Sequence, residues 1–119
     1  MIIGIYGISS QSGRAFLADY IDKGYKVIGY TRPTPHGVEV LDAIHKLNGL
    51  YLERPDNSNH EPSKFIELGS RSVTSDLTYM VNNADIIIVP LPSTAHISAV
   101  TDMNEVGLWR RRGPVVLAP

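Results

Sequence analysis

Gly7-Ile8-Ser9-Ser10-Gln11-Ser12-Gly13 combines residue types and spacing that suit the binding of a phosphate. Gly7 permits a tight turn off a strand. A small residue in the middle lets backbone N–H groups approach a pyrophosphate, and Gly13 lets the following helix pack closely. The segment fits two templates imperfectly. In G-x-G-x-x-G, Ser9 and Ser12 replace the second and third glycines; in G-x-x-G-x-x-G, Gly7 and Gly13 are kept and Ser10 stands in the middle. Serine is small enough for the middle role, and its hydroxyl could add a hydrogen bond to phosphate. The same glycines could also serve only to shape a strand-to-helix turn.

A second candidate lies about twenty residues on. In a dinucleotide fold the end of the second strand carries an acidic residue for the ribose hydroxyls of NAD, or a small polar residue followed by arginine for the 2′-phosphate of NADP. Thr31-Arg32 occupies that place without Asp or Glu. The expected cofactor is therefore NADP, with NAD less favoured and Arg32 as the phosphate clamp.

These residues need a scaffold, and the pattern supplies one. Ile2 to Tyr6 is a short apolar run suited to a strand buried on both faces. From Gly13 to Lys23, Ala15, Phe16, Tyr20 and Ile21 recur at helical spacing, and Gly24 follows as a C-terminal cap. Tyr25 to Tyr30 reads as a second strand, broken by Thr31-Arg32-Pro33-Thr34-Pro35. This is one right-handed βαβ unit.

Val38, Leu41, Ile44 and Leu47 mark an amphipathic helix stopped by Asn48-Gly49. Tyr51 to Leu68 reads as a surface loop between short extended pieces, with Pro55 to Asn59 and Pro62 as turn formers. Ser72-Val73-Thr74 is a short strand, and Ser75 is a candidate N-cap for a helix carrying Leu77, Met80 and Val81. Ala84 to Val89 is too apolar for a one-sided strand and belongs at the centre of a parallel sheet. Ser93 can cap a helix running toward Trp109, and Val115-Val116-Leu117 forms a last strand. The expected fold is α/β, a Rossmann-type doubly wound and mainly parallel sheet, with residues 1–119 as a single dinucleotide-binding domain.

Composition narrows the partners. With 43% hydrophobic and 19% charged residues the chain is an ordinary globular sequence. A net charge of -1 gives no reason to expect nucleic acid or an anionic membrane surface. No apolar stretch is long enough to span a bilayer, and the N-terminal run lacks the features of a signal peptide, so a cytoplasmic location is expected. The absence of cysteine excludes disulfides and thiol chemistry.

Other polar residues carry weaker signals. His36, His45 and His60 have no metal-ligand spacing, and no metal is expected. His96 stands near where substrate could approach, although a lone histidine more often packs or faces solvent. Asp85 reads as a structural cap at the amino end of its strand. Trp109-Arg110-Arg111-Arg112 reads as the exposed end of a helix, its charge complementing the dipole.

Two stretches bear a family resemblance. Val27 to Pro35 resembles the second strand and arginine turn of 6-phosphogluconate-dehydrogenase-like NADP enzymes. Val73-Thr74-Ser75-Asp76-Leu77, with Ala84-Asp85-Ile86-Ile87-Ile88-Val89-Pro90-Leu91-Pro92-Ser93-Thr94-Ala95-His96, looks like the N-terminal domain of octopine/nopaline-type opine dehydrogenases. The extra segment from Tyr51 to Ser72 and the strand Gly113 to Pro119 are similar to that family too.

The resemblance implies an enzyme that reduces the imine of a 2-oxo acid and an amino acid with hydride from NADPH. It implies a nicotinamide lying beyond the turn Pro90-Leu91-Pro92-Ser93, and substrate and proton-transfer residues in a C-terminal domain outside this chain, so no catalytic residue is assigned. The small-molecule substrate is then expected only with the intact enzyme, and an exposed sheet edge suggests a homo-oligomer.

A rival is a non-catalytic NADP-sensing module related to atypical short-chain dehydrogenases, whose Gly-x-x-x-Gln-x-Gly turn Gly7, Gln11 and Gly13 also fit. Ordinary short-chain dehydrogenases are disfavoured, because no Tyr-x-x-x-Lys pair is present. A domain that keeps the fold without a ligand is a third reading.

Overall fold

The structure is a computed structural model that describes residues 1–52, 64–69, 71–111 and 113–118. Strand β1 (Ile2–Tyr6) leads through the glycine turn into helix α1 (Gln11–Asp22), and strand β2 (Lys26–Tyr30) follows. Helix α2 (Pro35–Leu47) then enters a two-stranded antiparallel hairpin of β3 (Gly49–Leu52) and β4 (Lys64–Glu67). The short β5 (Val73–Thr74), helix α3 (Leu77–Asn83) and strand β6 (Ile86–Pro90) come next. A 3₁₀ turn (Ser93–Ala95), helix α4 (His96–Glu105), a second 3₁₀ turn (Leu108–Arg110) and strand β7 (Val115–Ala118) complete the order.

The main sheet is parallel in every pairing and runs β5-β2-β1-β6-β7. The order reverses direction between β1 and β6, and in an open α/β sheet such a switch point leaves a crevice at the carboxyl ends of the strands. The expected Rossmann-type α/β fold is therefore observed.

Side chains alternate between the two faces. Ile3, Ile5 and Val27 join Leu17, Leu41 and Ile44 on the face of α1 and α2. Tyr6, Ile28, Tyr30, Ile87 and Val89 join Met80, Ala99 and Met103 on the face of α3 and α4. Ile5, Ile87 and Val89 are completely buried, each contributing roughly 1.5–3 kcal/mol from burial. Gly29 is required on the first face, since a Cβ there would fall 2.8 Å from the Ile8 side chain.

Several boundaries differ from the sequence expectation. Helix α1 starts at Gln11, because the Ser10 hydroxyl accepts from the Gly13 N–H and caps the helix. Helix α2 starts at Pro35, with Thr34 as its N-cap and proline in the first turn, where its missing N–H costs nothing. The cap of α3 is Asp76, whose carboxylate accepts from the Tyr79 N–H at 3.1 Å, and not Ser75. Ser93 opens a 3₁₀ turn and makes no side-chain cap; α4 begins at His96 and stops at Glu105, well before Trp109.

The segment expected as a loop with extended pieces contains the β3–β4 hairpin, while Pro55 to Asn59, His60 and Pro62 lie outside the described residues. Asp85 has the structural role expected of it: its carboxylate accepts from the Ile2 N–H at 2.7 Å, tying β1 to β6.

Candidate functional site

The glycine turn is held against the end of β2. Gly7, with φ of 108°, and Ile8 both donate to the Tyr30 carbonyl, at 2.8 and 3.0 Å. Ser10 stands at the centre: its hydroxyl donates to the Gly7 carbonyl at 2.8 Å and accepts from the Gly13 N–H at 3.0 Å. A Cβ on Gly13 would lie 2.1 Å from the Gly7 oxygen, so only glycine allows α1 to approach the turn this closely.

Gly7, Ser10 and Gly13 thus form an inner ring, consistent with the G-x-x-G-x-x-G spacing. The Ser10 hydroxyl is engaged in capping and is not turned outward for a phosphate. Gln11 and Ser12 are the exposed first two residues of α1, and their N–H groups have no intrahelical acceptor. With the positive end of the helix dipole behind them, they are suited to an anion. Ser9 is half-buried beside them.

At the end of β2, Thr31 is buried and its hydroxyl donates to the Arg32 carbonyl at 3.2 Å. Arg32 leans toward α4 and pairs with Asp102, Nη2 to Oδ2 at 2.5 Å. Its Nε also donates to that oxygen at 3.0 Å and to the Tyr6 hydroxyl at 3.1 Å, while Tyr6 donates to Asp102 at 2.6 Å.

This closed cluster moves all three titrations. Burial, then the bond to Asp102, pushes the Tyr6 phenol well up. The bonds to Tyr6 and Asp102 raise the Arg32 guanidinium. Burial acts to raise the Asp102 carboxyl, but the hydrogen bonds from Tyr6 and Arg32 and the guanidinium charge outweigh it and hold the group low. Arg32 is thus an ion-paired group with 48% of its side chain exposed.

The third part is the turn after β6. Pro90 is buried at the strand end, Leu91 half-buried and Pro92 exposed. The Leu91 side chain lies over Gly7, where a Cβ would meet it at 2.8 Å. His96 Nε2 bonds the Leu91 carbonyl at 2.8 Å and the Ala118 carbonyl at 3.3 Å, so this nitrogen must carry the proton. His96 therefore ties the ends of β6 and β7 together at the crevice.

Two residues at this edge are not among the site residues expected from the sequence. Arg14 Nη1 donates to the carbonyls of Ile8 and Ser9, at 3.1 and 2.8 Å, and His36 Nε2 bonds the Ser9 carbonyl at 3.1 Å. Each brings a basic group to the glycine turn. A helix register places Arg14 one turn after Ser10, which was a usable signal; nothing in the sequence showed that α2 would deliver His36 there. His45 lies elsewhere on α2, and no group of residues suited to a metal occurs among the described residues.

The Trp109 cluster meets its expectation in part: Trp109 and Arg110 are the exposed end of a 3₁₀ turn, and Arg111 departs from it. Arg110 lies over the Trp109 ring, 4.8 Å from its centre. Arg111 turns inward and donates to the carbonyls of Ala84, Asp85 and Gly113, so it braces the amino ends of β6 and β7 instead of facing solvent. Arg112 lies outside the described residues. An open groove of about 540 Å³ lies here, lined by Asn82, Asp85, Arg110 and Arg111. It is at the sheet edge opposite the glycine turn, where α3 presents its C-terminal, negative end.

No model of a known family matches the sequence, and no curated protein is significantly similar to it. The fold is similar to that of two solved structures of yersinopine dehydrogenase, one with NADP+ bound and one without ligand. Each aligns with a TM-score of 0.74 at 14% identity over 98% of this chain. The chain spans 28% of the length of the first and 27% of the second. At this identity the likeness establishes a shared fold.

Proposed function

We propose that this chain is the NADP(H)-binding domain of an opine-dehydrogenase-like oxidoreductase. The observation that carries the reading is the convergence of three features on one sheet edge. These are the open N–H groups of Gln11 and Ser12 at the start of α1, the arginine beyond β2, and the Pro90-Leu91-Pro92 turn beyond β6. The residues fit the cofactor. Gly7 has no Cβ, the helix terminus supplies donors for the pyrophosphate, and no carboxylate occupies the Thr31 position where NAD would need one.

In this reading Gln11 and Ser12, with Ser9 beside them, hold the pyrophosphate, Gly7, Ser10 and Gly13 shape the turn, Arg32 faces the adenosine 2′-phosphate, and Thr31 is packed behind it. Pro90, Leu91 and Pro92 flank the nicotinamide. The cofactor supplies a hydride; this chain's residues bind and orient it. That a solved structure of the same fold holds NADP+ supports the assignment.

The reduction of an imine formed from a 2-oxo acid and an amino acid belongs to the same proposal, with substrate and proton-transfer groups supplied from outside residues 1–119. So does a cytoplasmic location without nucleic acid or membrane partners, supported by the near-neutral charge. Among the described residues no helix is long and apolar enough to cross a membrane. A homo-oligomer is a further part of the proposal.

Parallel titrations with NADPH and NADH test the reading. The expected result is preferential NADPH binding that Arg32→Ala weakens by roughly ten- to a hundredfold, the loss of a charge-assisted phosphate contact. If neither nucleotide binds the folded chain, the reading is rejected.

A further inference from the structure

Asp102 in α4 and Arg32 beyond β2 stand 70 residues apart in the sequence, yet they make the central contact of the cluster at the nucleotide edge. A guanidinium carries five N–H donors in a rigid planar fork. Nε and Nη2 form one side of that fork, and both are directed to the single oxygen Oδ2 of Asp102. The Tyr6 hydroxyl fills the remaining space beside it, accepting from Nε and donating to the same Oδ2. Nη1 makes no hydrogen bond among the described residues, and the side chain is 48% exposed. The guanidinium is therefore gripped on one side and open at its other end.

This arrangement has an electrostatic cost for an incoming anion. A lone arginine presents one positive charge to a phosphate; Arg32 presents a pair whose net charge is zero. A 2′-phosphate carrying up to two negative charges must approach a clamp that already has a carboxylate against it.

We infer that Asp102 is a specificity-determining residue of the nucleotide site: it orients Arg32 through the Nε side, leaves the Nη1 end for the adenosine 2′-phosphate, and lowers the preference for that phosphate by offsetting the charge. The inference rests on the NADP(H) reading above and deepens it. In its terms the chain is built for a moderated NADPH preference, with Asp102 as the moderating charge and Tyr6 as the group that keeps the carboxylate in register with Arg32.

The test compares NADPH and NADH binding to the full chain and to Asp102→Asn, which keeps the shape and an oxygen acceptor for Arg32 but removes the charge. The expected result is NADPH binding about tenfold tighter in the variant, an NADH affinity within about twofold of the starting value, and a gain that shrinks in 1 M salt. A purely structural role for Asp102 would move both nucleotides together.

Asp102→Ser is the second variant, with melting curves confirming that each chain folds; it should shift the ratio in the same direction. If NADPH binds the original chain and the NADPH-to-NADH ratio stays the same or falls in both variants, the inference is overturned while the nucleotide site stands. If neither nucleotide binds any of the folded chains, both are overturned.

Discussion

Gly37 in the first turn of α2 lies directly against the carbonyl of Arg32, so close that an added Cβ would fall 2.1 Å from that oxygen and 2.6 Å from the Thr31 hydroxyl. The start of α2 and the end of β2 are thus in backbone contact, and the position of Arg32 depends on a missing side chain five residues away. Gly37→Ala is expected to force the helix outward and destabilise the fold by about 2–3 kcal/mol, as overpacking a close contact does. Denaturant unfolding checks the loss. A variant as stable as the parent would show that α2 can shift freely.

Ser10→Ala separates capping from ligand contact. With its hydroxyl bonded to Gly7 and Gly13, Ser10 is expected to contribute about 1 kcal/mol to stability. Nucleotide affinity at saturating protein stability should change by no more than about threefold, because the hydroxyl does not face outward. A large affinity loss without a stability loss would assign the hydroxyl to the phosphate instead.

Gly13→Ala should be more severe than either. Its Cβ would meet the Gly7 carbonyl at 2.1 Å, so α1 must move off the turn that the open N–H groups depend on. The expectation is a loss of roughly 3 kcal/mol together with loss of NADPH binding. Calorimetric titration of the folded fraction distinguishes the two effects, and retained binding would show that the inner ring of the turn is dispensable.

The Asp102 cluster predicts a pH dependence. The carboxyl is held below the ordinary aspartate value of 3.8, so it binds fewer protons folded than unfolded. Its stabilising contribution is present above that value and is lost as pH falls through the lowered one. The lead of the parent chain over Asp102→Asn should therefore be steady near neutrality and shrink in acid. Since the Asp102 side chain is 33% exposed, the lead should be small and decrease with salt. Urea midpoints at pH 7 and pH 3 measure it; a lead that grows in acid would reverse the assignment.

The parts of the fold legible in the sequence were those set by burial. Ile2 to Tyr6 and Ile86 to Val89 are continuous apolar runs because both faces of their strands are covered, and such runs identify central parallel strands. Local choices between similar residues were less legible. Ser75 and Asp76 both suit an N-cap, and only the loop geometry selects Asp76. Pro35 read as a breaker because proline ends a strand as readily as it opens a helix. The partners of Arg32 and Arg111 were not legible at all. Each depends on a contact made across the fold, to Asp102 in one case and to the carbonyls of Ala84 and Asp85 in the other.

The placement of β1 also joins segments that are made far apart in time. It pairs with β2, which follows it closely, and with β6, through the register Ile3 to Ile86. As the chain leaves the ribosome, β1, α1 and β2 can close on one another early. The other edge of β1 has to stay open until more than eighty residues have been made. The inner face of the crevice therefore cannot be completed before β6 has been made, and Asp102, the residue that restrains Arg32, is synthesised later still.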